Sequence, residues 1–189
     1  MDFQTILRKE PIIAAIRNVA GIDISTWHNI RVIFVLGGTI FDLQHIVKEA
    51  HRYNKLVLAD IDLVKGIGKD KAGVHFLATE SHVDGIITTH SNFIQDIQAE
   101  RLLAVERMFV LDSESLNGGL GIIEKSKPDA VEILPGPILP KIIKRIRSAT
   151  SIPVIAGGLL TEEKDVREVL AAGAIGVSTS ATQLFGFRV

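Results

Sequence analysis

Eight short runs of β-branched and other apolar residues recur along this chain, and most are followed by a segment able to form an amphipathic helix. The runs span residues 12–16, 32–36, 56–61, 85–88, 102–111, 130–134, 153–156 and 175–178. They are continuously apolar rather than alternating, as expected of parallel strands covered on both faces. Between them, residues 42–53 place Leu43, Ile46, Val47 and Ala50 on one stripe, and residues 139–149 do the same with Ile142, Ile143 and Ile146. Residues 92–100 form a third helical segment with Ser91 as its expected N-cap. A fourth follows Thr161, whose side chain can cap, with Glu162, Glu163 and Asp165 suited to the helix dipole, and stops at Gly173. Strand–helix alternation with eight strands predicts a TIM-type (β/α)8 barrel.

Such a barrel must be compact, because 189 residues fall short of the roughly 250 that are typical. Abbreviated helices are expected where residues 21–29 leave little room, where Asn117-Gly118-Gly119 and Gly121 weaken the fifth helix, and where only residues 181–189 follow the eighth strand. The alternative is a doubly wound open sheet, which leaves the first or last strand unpaired.

A chain that is 47% hydrophobic, with no linker-like stretch rich in Pro, Gly or Ser, reads as one domain over residues 1–189. Cysteine is absent, which excludes disulfides and thiolate chemistry. Apolar runs such as residues 32–36 are too short to span a bilayer, so a cytoplasmic protein without membrane contact is expected. The net charge of −1 gives no global attraction to nucleic acid or membrane.

Two consecutive strand ends carry a phosphate-binding pattern. Ile155-Ala156-Gly157-Gly158-Leu159 and, one unit later, Gly176-Val177-Ser178-Thr179-Ser180 end in glycines or small hydroxyl residues. Bare backbone N–H groups there can face an anion, and loops after the last two strands of a barrel are a frequent phosphate site. Gly157, Gly158, Ser178, Thr179 and Ser180 are therefore candidate ligand residues, although a glycine pair can also serve only as a tight turn.

Further polar residues stand at the carboxyl ends of the strands: Arg17, Asp60 and Asp62 on one strand face, His90, and Arg107, Glu106 and Glu132 within otherwise apolar runs. Charges in such runs are costly unless paired, so Arg17 or Arg107 with Asp60, Asp62 or Glu132 is expected either to line a site or to form a buried ion-pair layer. Asp60 and Asp62 could hold Mg²⁺ near a phosphate, because hard cations choose carboxylate oxygens. Neither Lys55 nor Lys65 suits a Schiff base, no serine lies in a nucleophile elbow, and the six histidines lack zinc spacing. No catalytic residue is assigned.

The segments Pro11-Ile-Ile-Ala-Ala-Ile-Arg-Asn18, Asp60-Ile-Asp-Leu-Val-Lys-Gly-Ile67, Asp84-Gly-Ile-Ile-Thr-Thr-His90, Phe109-Val-Leu-Asp-Ser113, Pro128-Asp-Ala-Val-Glu-Ile-Leu-Pro-Gly136, Pro153-Val-Ile-Ala-Gly-Gly-Leu159 and Val177-Ser-Thr-Ser180 together resemble the glycerol uptake operon antiterminator family. The resemblance runs in order over nearly the whole chain. It implies a cytoplasmic regulator that senses glycerol 3-phosphate, binds a leader messenger RNA and performs no catalysis. Asp60 stands where the family pattern has histidine and His90 where it has lysine, which makes the mouth more acidic. The basic cluster Lys141, Lys144 and Arg145 is the candidate RNA contact, although such a run also suits a solvated helix face. A metabolic enzyme acting on a small phosphorylated substrate, with Asp60, Asp62 or Glu132 as acid and base, is the alternative; self-association is left open.

Overall fold

A computed structural model describes residues 3–19 and 21–188; Val189, the last residue of the expected short tail, lies outside them. Eight parallel strands close into a barrel in sequence order: β1 (Ile12–Ile16), β2 (Val32–Val35), β3 (Leu56–Asp60), β4 (Gly85–Thr88), β5 (Leu103–Phe109), β6 (Ala130–Leu134), β7 (Val154–Gly157) and β8 (Gly176–Thr179). Closure comes from β1 pairing with β8, Ile12 opposite Val177 and Ala14 opposite Thr179. The open-sheet alternative is thereby excluded.

Strand alternation sorts the residues into two cores. Ile13, Ala15, Phe34, Leu58, Ile87, Val105, Ala130 and Ile155 fill the lumen, and the residues between them pack outward under the helices. The first helix, α1 (Phe3–Lys9), precedes the barrel and puts Phe3, Ile6 and Leu7 into the lumen cluster. One end of the lumen is thus packed with apolar side chains. Its polar layer lies at the other end, where the strands finish.

The helices that follow are α2 (Ile40–Arg52), α3 (Lys71–Thr79), α4 (Ile94–Ala99), α5 (Ser113–Ser126), α6 (Leu139–Ala149) and α7 (Glu163–Ala172). Local chemistry sets their starts. Thr39 and Asp42 form a reciprocal capping box on α2, Asp70 accepts from the Gly73 N–H on α3, and Asp112 and Ser115 exchange bonds on α5. After β1 and β8 only short 3₁₀ turns form among the described residues, Ile24–Thr26 and Thr182–Leu184, as the short connections require.

Three expectations need correction. At 14 residues, α5 is the longest helix rather than a weakened one. Gly119 lets it approach β5 so closely that a Cβ there would collide with Met108 Sδ, and this packing outweighs poor intrinsic propensity. Ser91 does not cap α4; residues Ser91–Phe93 form a 3₁₀ turn that runs into the helix. Thr161 does not cap α7 either, because Asp165, one turn in, accepts from the N–H groups of Thr161 and Glu162. Helix α3 had no sequence signal strong enough to place it, its stripe being only Gly73, Val74 and Leu77.

Candidate ligand-binding site

A cavity of about 450 Å³ opens at the carboxyl end of the barrel, a size suited to a small molecule. Its walls include Arg17, Asp60, Asp62, Glu132, Gly158, Ser178, Thr179 and Ser180, so eight of the nine expected ligand residues meet in one place. The ninth, Gly157, lies directly beneath, where a Cβ would press on Glu132 Oε1 and Ser178 Oγ, each 2.6 Å away. The absent side chain therefore makes room for the contact between those two groups.

Arg107 organises the floor. It projects from β5 into the lumen and is 8% exposed. Its Nε donates to Glu132 Oε2 at 2.7 Å and its Nη1 to Asp60 Oδ2. The other oxygen of Glu132 accepts from Ser178 Oγ, and Asp60 Oδ1 accepts from the N–H groups of Asp62 and Leu63 at 3.0 and 3.1 Å. Burial pushes the Asp60 carboxyl above the ordinary aspartate range, against the opposing pull of Arg107. The two carboxylates hold the Arg107 guanidinium well protonated, more than offsetting its burial.

The expected ion-pair layer exists, and of Arg17 and Arg107 it is Arg107 that joins it. Arg17 is exposed at the rim, and among the described residues it has no hydrogen-bond or ion-pair partner. Asp62 is separate from the layer, because its position two residues past the end of β3 turns it toward the end of β4. There it accepts from the Thr89 N–H at 2.8 Å and from the hydroxyls of Thr88 and Thr89, with His90 Nε2 at 3.7 Å. Glu106 lies outside the lumen altogether, since strand alternation points it under α5, where Ser126 Oγ donates to it at 2.6 Å.

The rim differs from the floor in having few internal partners. Gly158 has φ +71° and Leu159 φ +59°, and Leu159 is 76% exposed while lining the cavity. A left-handed leucine costs about 1–2 kcal/mol, and strain of this kind gathers at binding sites. The Thr179 hydroxyl donates to the Leu160 carbonyl at 2.7 Å, whereas Ser180 is exposed. With Asp165 occupying the start of α7, the helix dipole expected at this loop is already met by a carboxylate. Arg17, Gly158, Thr161 and Ser180 are what the rim offers an anion.

Among the described residues no group of three or more His, Asp or Glu side chains could hold a metal, and Asp60, one of the two Mg²⁺ candidates, is paired with Arg107. Among the described residues no helix is long and apolar enough to cross a membrane. Lys141, Lys144 and Arg145 stand exposed on α6; Arg145 reaches Asn117 on α5, and Arg147 instead ties down the carbonyls of Ile152 and Gly173. Sequence reasoning offered Arg107 as a partner for the mouth carboxylates without naming it a ligand residue, and left out Thr89. The signal available for Arg107 was its parity with Val105 on an otherwise apolar strand.

Comparison with known proteins places this geometry among relatives. Residues 12–185 match the family described as glycerol-3-phosphate responsive antiterminator. The uncharacterised protein YgcP of Escherichia coli K12 is 32% identical over 96% of this chain and 95% of its own. The crystal structure of a glycerol uptake operon antiterminator regulatory protein from Listeria monocytogenes superposes with a TM-score of 0.81 at 37% identity, covering 90% of this chain and 92% of that one. A glycerol uptake operon antiterminator-related protein from Thermotoga maritima gives a TM-score of 0.82 at 32% identity, covering 95% and 99%.

Proposed function

The chain belongs to the glycerol-3-phosphate responsive antiterminator family, and from that membership and the geometry of the mouth we propose that it is a cytoplasmic regulator whose barrel senses glycerol 3-phosphate and whose surface binds a leader messenger RNA. The observation that carries the reading is the extent of the match: residues 12–185 take in every strand and every residue lining the cavity. In this reading the phosphate sits at the rim, against Arg17 and the backbone of Gly158 and Ser180, and the polyol end points to the floor. No cofactor is required beyond the effector itself.

The site suits recognition. Asp60 and Glu132 are committed to Arg107 and Asp62 to Thr88 and Thr89, so each carboxylate that could serve as acid or base is already held in a hydrogen bond. A ligand there affects RNA only by favouring one of two conformations, and RNA must then tighten ligand binding by the same free energy. The test is titration of a glycerol-operon leader RNA with and without glycerol 3-phosphate, alongside a thermal-shift series of three- to five-carbon phosphates. A rise in melting temperature with glycerol 3-phosphate and a ligand-dependent RNA affinity are expected. RNA affinity indifferent to every phosphate overturns the regulatory reading.

A further inference from the structure

Arg107 has one donor group left over. Nε and Nη1 are used by Glu132 and Asp60, but Nη2 has no partner among the described residues, although the side chain is 7% exposed and lines the cavity. It is not among the fully enclosed unsatisfied side-chain atoms, a set that among the described residues contains only Ser81 Oγ. The unused donor therefore belongs to the surface of the cavity floor. A guanidinium held at two positions by carboxylates is fixed in orientation, so its remaining N–H groups point in a defined direction.

The charge around this donor matters as much as the donor. Two carboxylates, Asp60 and Glu132, surround one guanidinium, so the buried layer is one negative charge in excess, and Asp62 adds another nearby. A second anionic group brought to Arg107 would meet this excess where little water screens it. A hydroxyl meets no such opposition: it can accept from Nη2 and donate to a free lone pair of Glu132 or Asp62.

We propose that Arg107 is a ligand-contacting, specificity-determining residue: its Nη2 receives a hydroxyl of the effector, while the surplus carboxylate on the floor rejects a second anionic group. The site then takes polyol monophosphates and excludes phosphorylated acids and bisphosphates of the same length. This inference rests on the proposed binding of a phosphorylated effector at the rim and adds the selectivity of the opposite end.

The experiment is calorimetry with glycerol 3-phosphate and with 3-phosphoglycerate, which carries a carboxylate in place of the hydroxymethyl group, on the parent and on Glu132→Gln. Glutamine can still accept from Arg107 Nε, and the Ser178 hydroxyl can turn to accept from its amide, so the network persists with one charge fewer. The parent should favour glycerol 3-phosphate by roughly tenfold or more. Glu132→Gln should close most of that gap by gaining affinity for 3-phosphoglycerate, an increase that misfolding cannot imitate. The parent's ratio needs no variant, and Arg107→Lys, which keeps the charge but loses the fork, should weaken glycerol 3-phosphate specifically. Equal binding of the two phosphates by the parent, or a ratio unchanged in Glu132→Gln, overturns the role of the floor alone. Failure of both phosphates to bind the parent overturns the effector reading and this one with it.

Discussion

Arg107 and Glu132 stand directly opposite one another on adjacent strands, and the 2.7 Å bond from Arg107 Nε to Glu132 Oε2 joins them inside the lumen. Asp60 completes the layer from β3, with β4 in between. Breaking a buried pair from one side costs about 3–5 kcal/mol, because the remaining charges lose their counterpart. Arg107→Met should therefore lower unfolding free energy in urea by about that amount. A loss below about 1 kcal/mol would mean that the layer behaves like an exposed ion pair.

Glu106 predicts a pH dependence. The residue is 5% exposed under α5, and burial pushes its carboxyl above the ordinary glutamate value, with the Ser126 hydrogen bond pulling back less. The folded chain then keeps a proton that the unfolded chain has released. Stability should fall as pH rises through the window between the ordinary and raised values, and stay lowered above it. Glu106→Gln removes this cost, so it should stabilise the protein at neutral pH, with a gain that fades below about pH 4. Asp60 is shifted in the same direction, so some slope should survive in the variant. Urea unfolding from pH 4 to 8 checks the sign; a gain that grows on acidification contradicts it.

The glycines of α5 separate two reasons for having no side chain. A Cβ at Gly118 or Gly121 meets nothing within 4 Å, whereas one at Gly119 would run into Met108. Gly118→Ala and Gly121→Ala should each stabilise by about 0.5–1 kcal/mol through helix propensity. Gly119→Ala should fall at least about 1 kcal/mol below them, because Met108 must move in a packed layer. Thermal melts of the three variants compare them directly, and equal melting temperatures would remove the packing account of the longest helix.

The barrel was legible because its strands are buried on both faces, which leaves continuous apolar runs whose order and number define the closure. The mouth was legible at Arg17, Asp60, Asp62 and Glu132, since a charge at the end of an apolar strand has few other places to go. What sequence could not supply was the partner of each charge. Which carboxylates meet Arg107 depends on β6 lying beside β5 and on β3 lying one strand beyond β4, a relation of strand order in the barrel rather than of sequence spacing. Caps failed for a related reason: Asp165 and Thr161 both had suitable side chains for α7, and only geometry chose between them.

Gly158 tests the rim. At φ +71° it is in the left-handed region, and Leu134 Cδ2 lies 3.3 Å from where a Cβ would be. Gly158→Val should therefore strain the turn by about 1–2 kcal/mol and obstruct approach to the backbone that the phosphate is proposed to use. Calorimetry with glycerol 3-phosphate should show binding weakened by more than tenfold, or lost, while the far-ultraviolet circular dichroism of the barrel persists. Affinity equal to that of the parent would move the phosphate away from this loop.

The surface of α6 carries the last prediction. A chain of net charge −1 attracts phosphates only where cations are concentrated, and Lys141, Lys144 and Arg145 lie on adjacent turns of one exposed helix face. Arg145 is the least free of the three, because it also reaches Asn117. If this face contacts leader RNA, each lost cation should reduce the dependence of log affinity on log salt by about 0.7 for a single strand. Replacing all three with glutamine should thus lower the slope by about 2 and weaken binding at low salt more than at high salt. Glycerol 3-phosphate binding should stay as in the parent, since the three residues do not line the cavity. An unchanged slope would clear α6 as the RNA surface and leave the regulatory role to another face of the barrel.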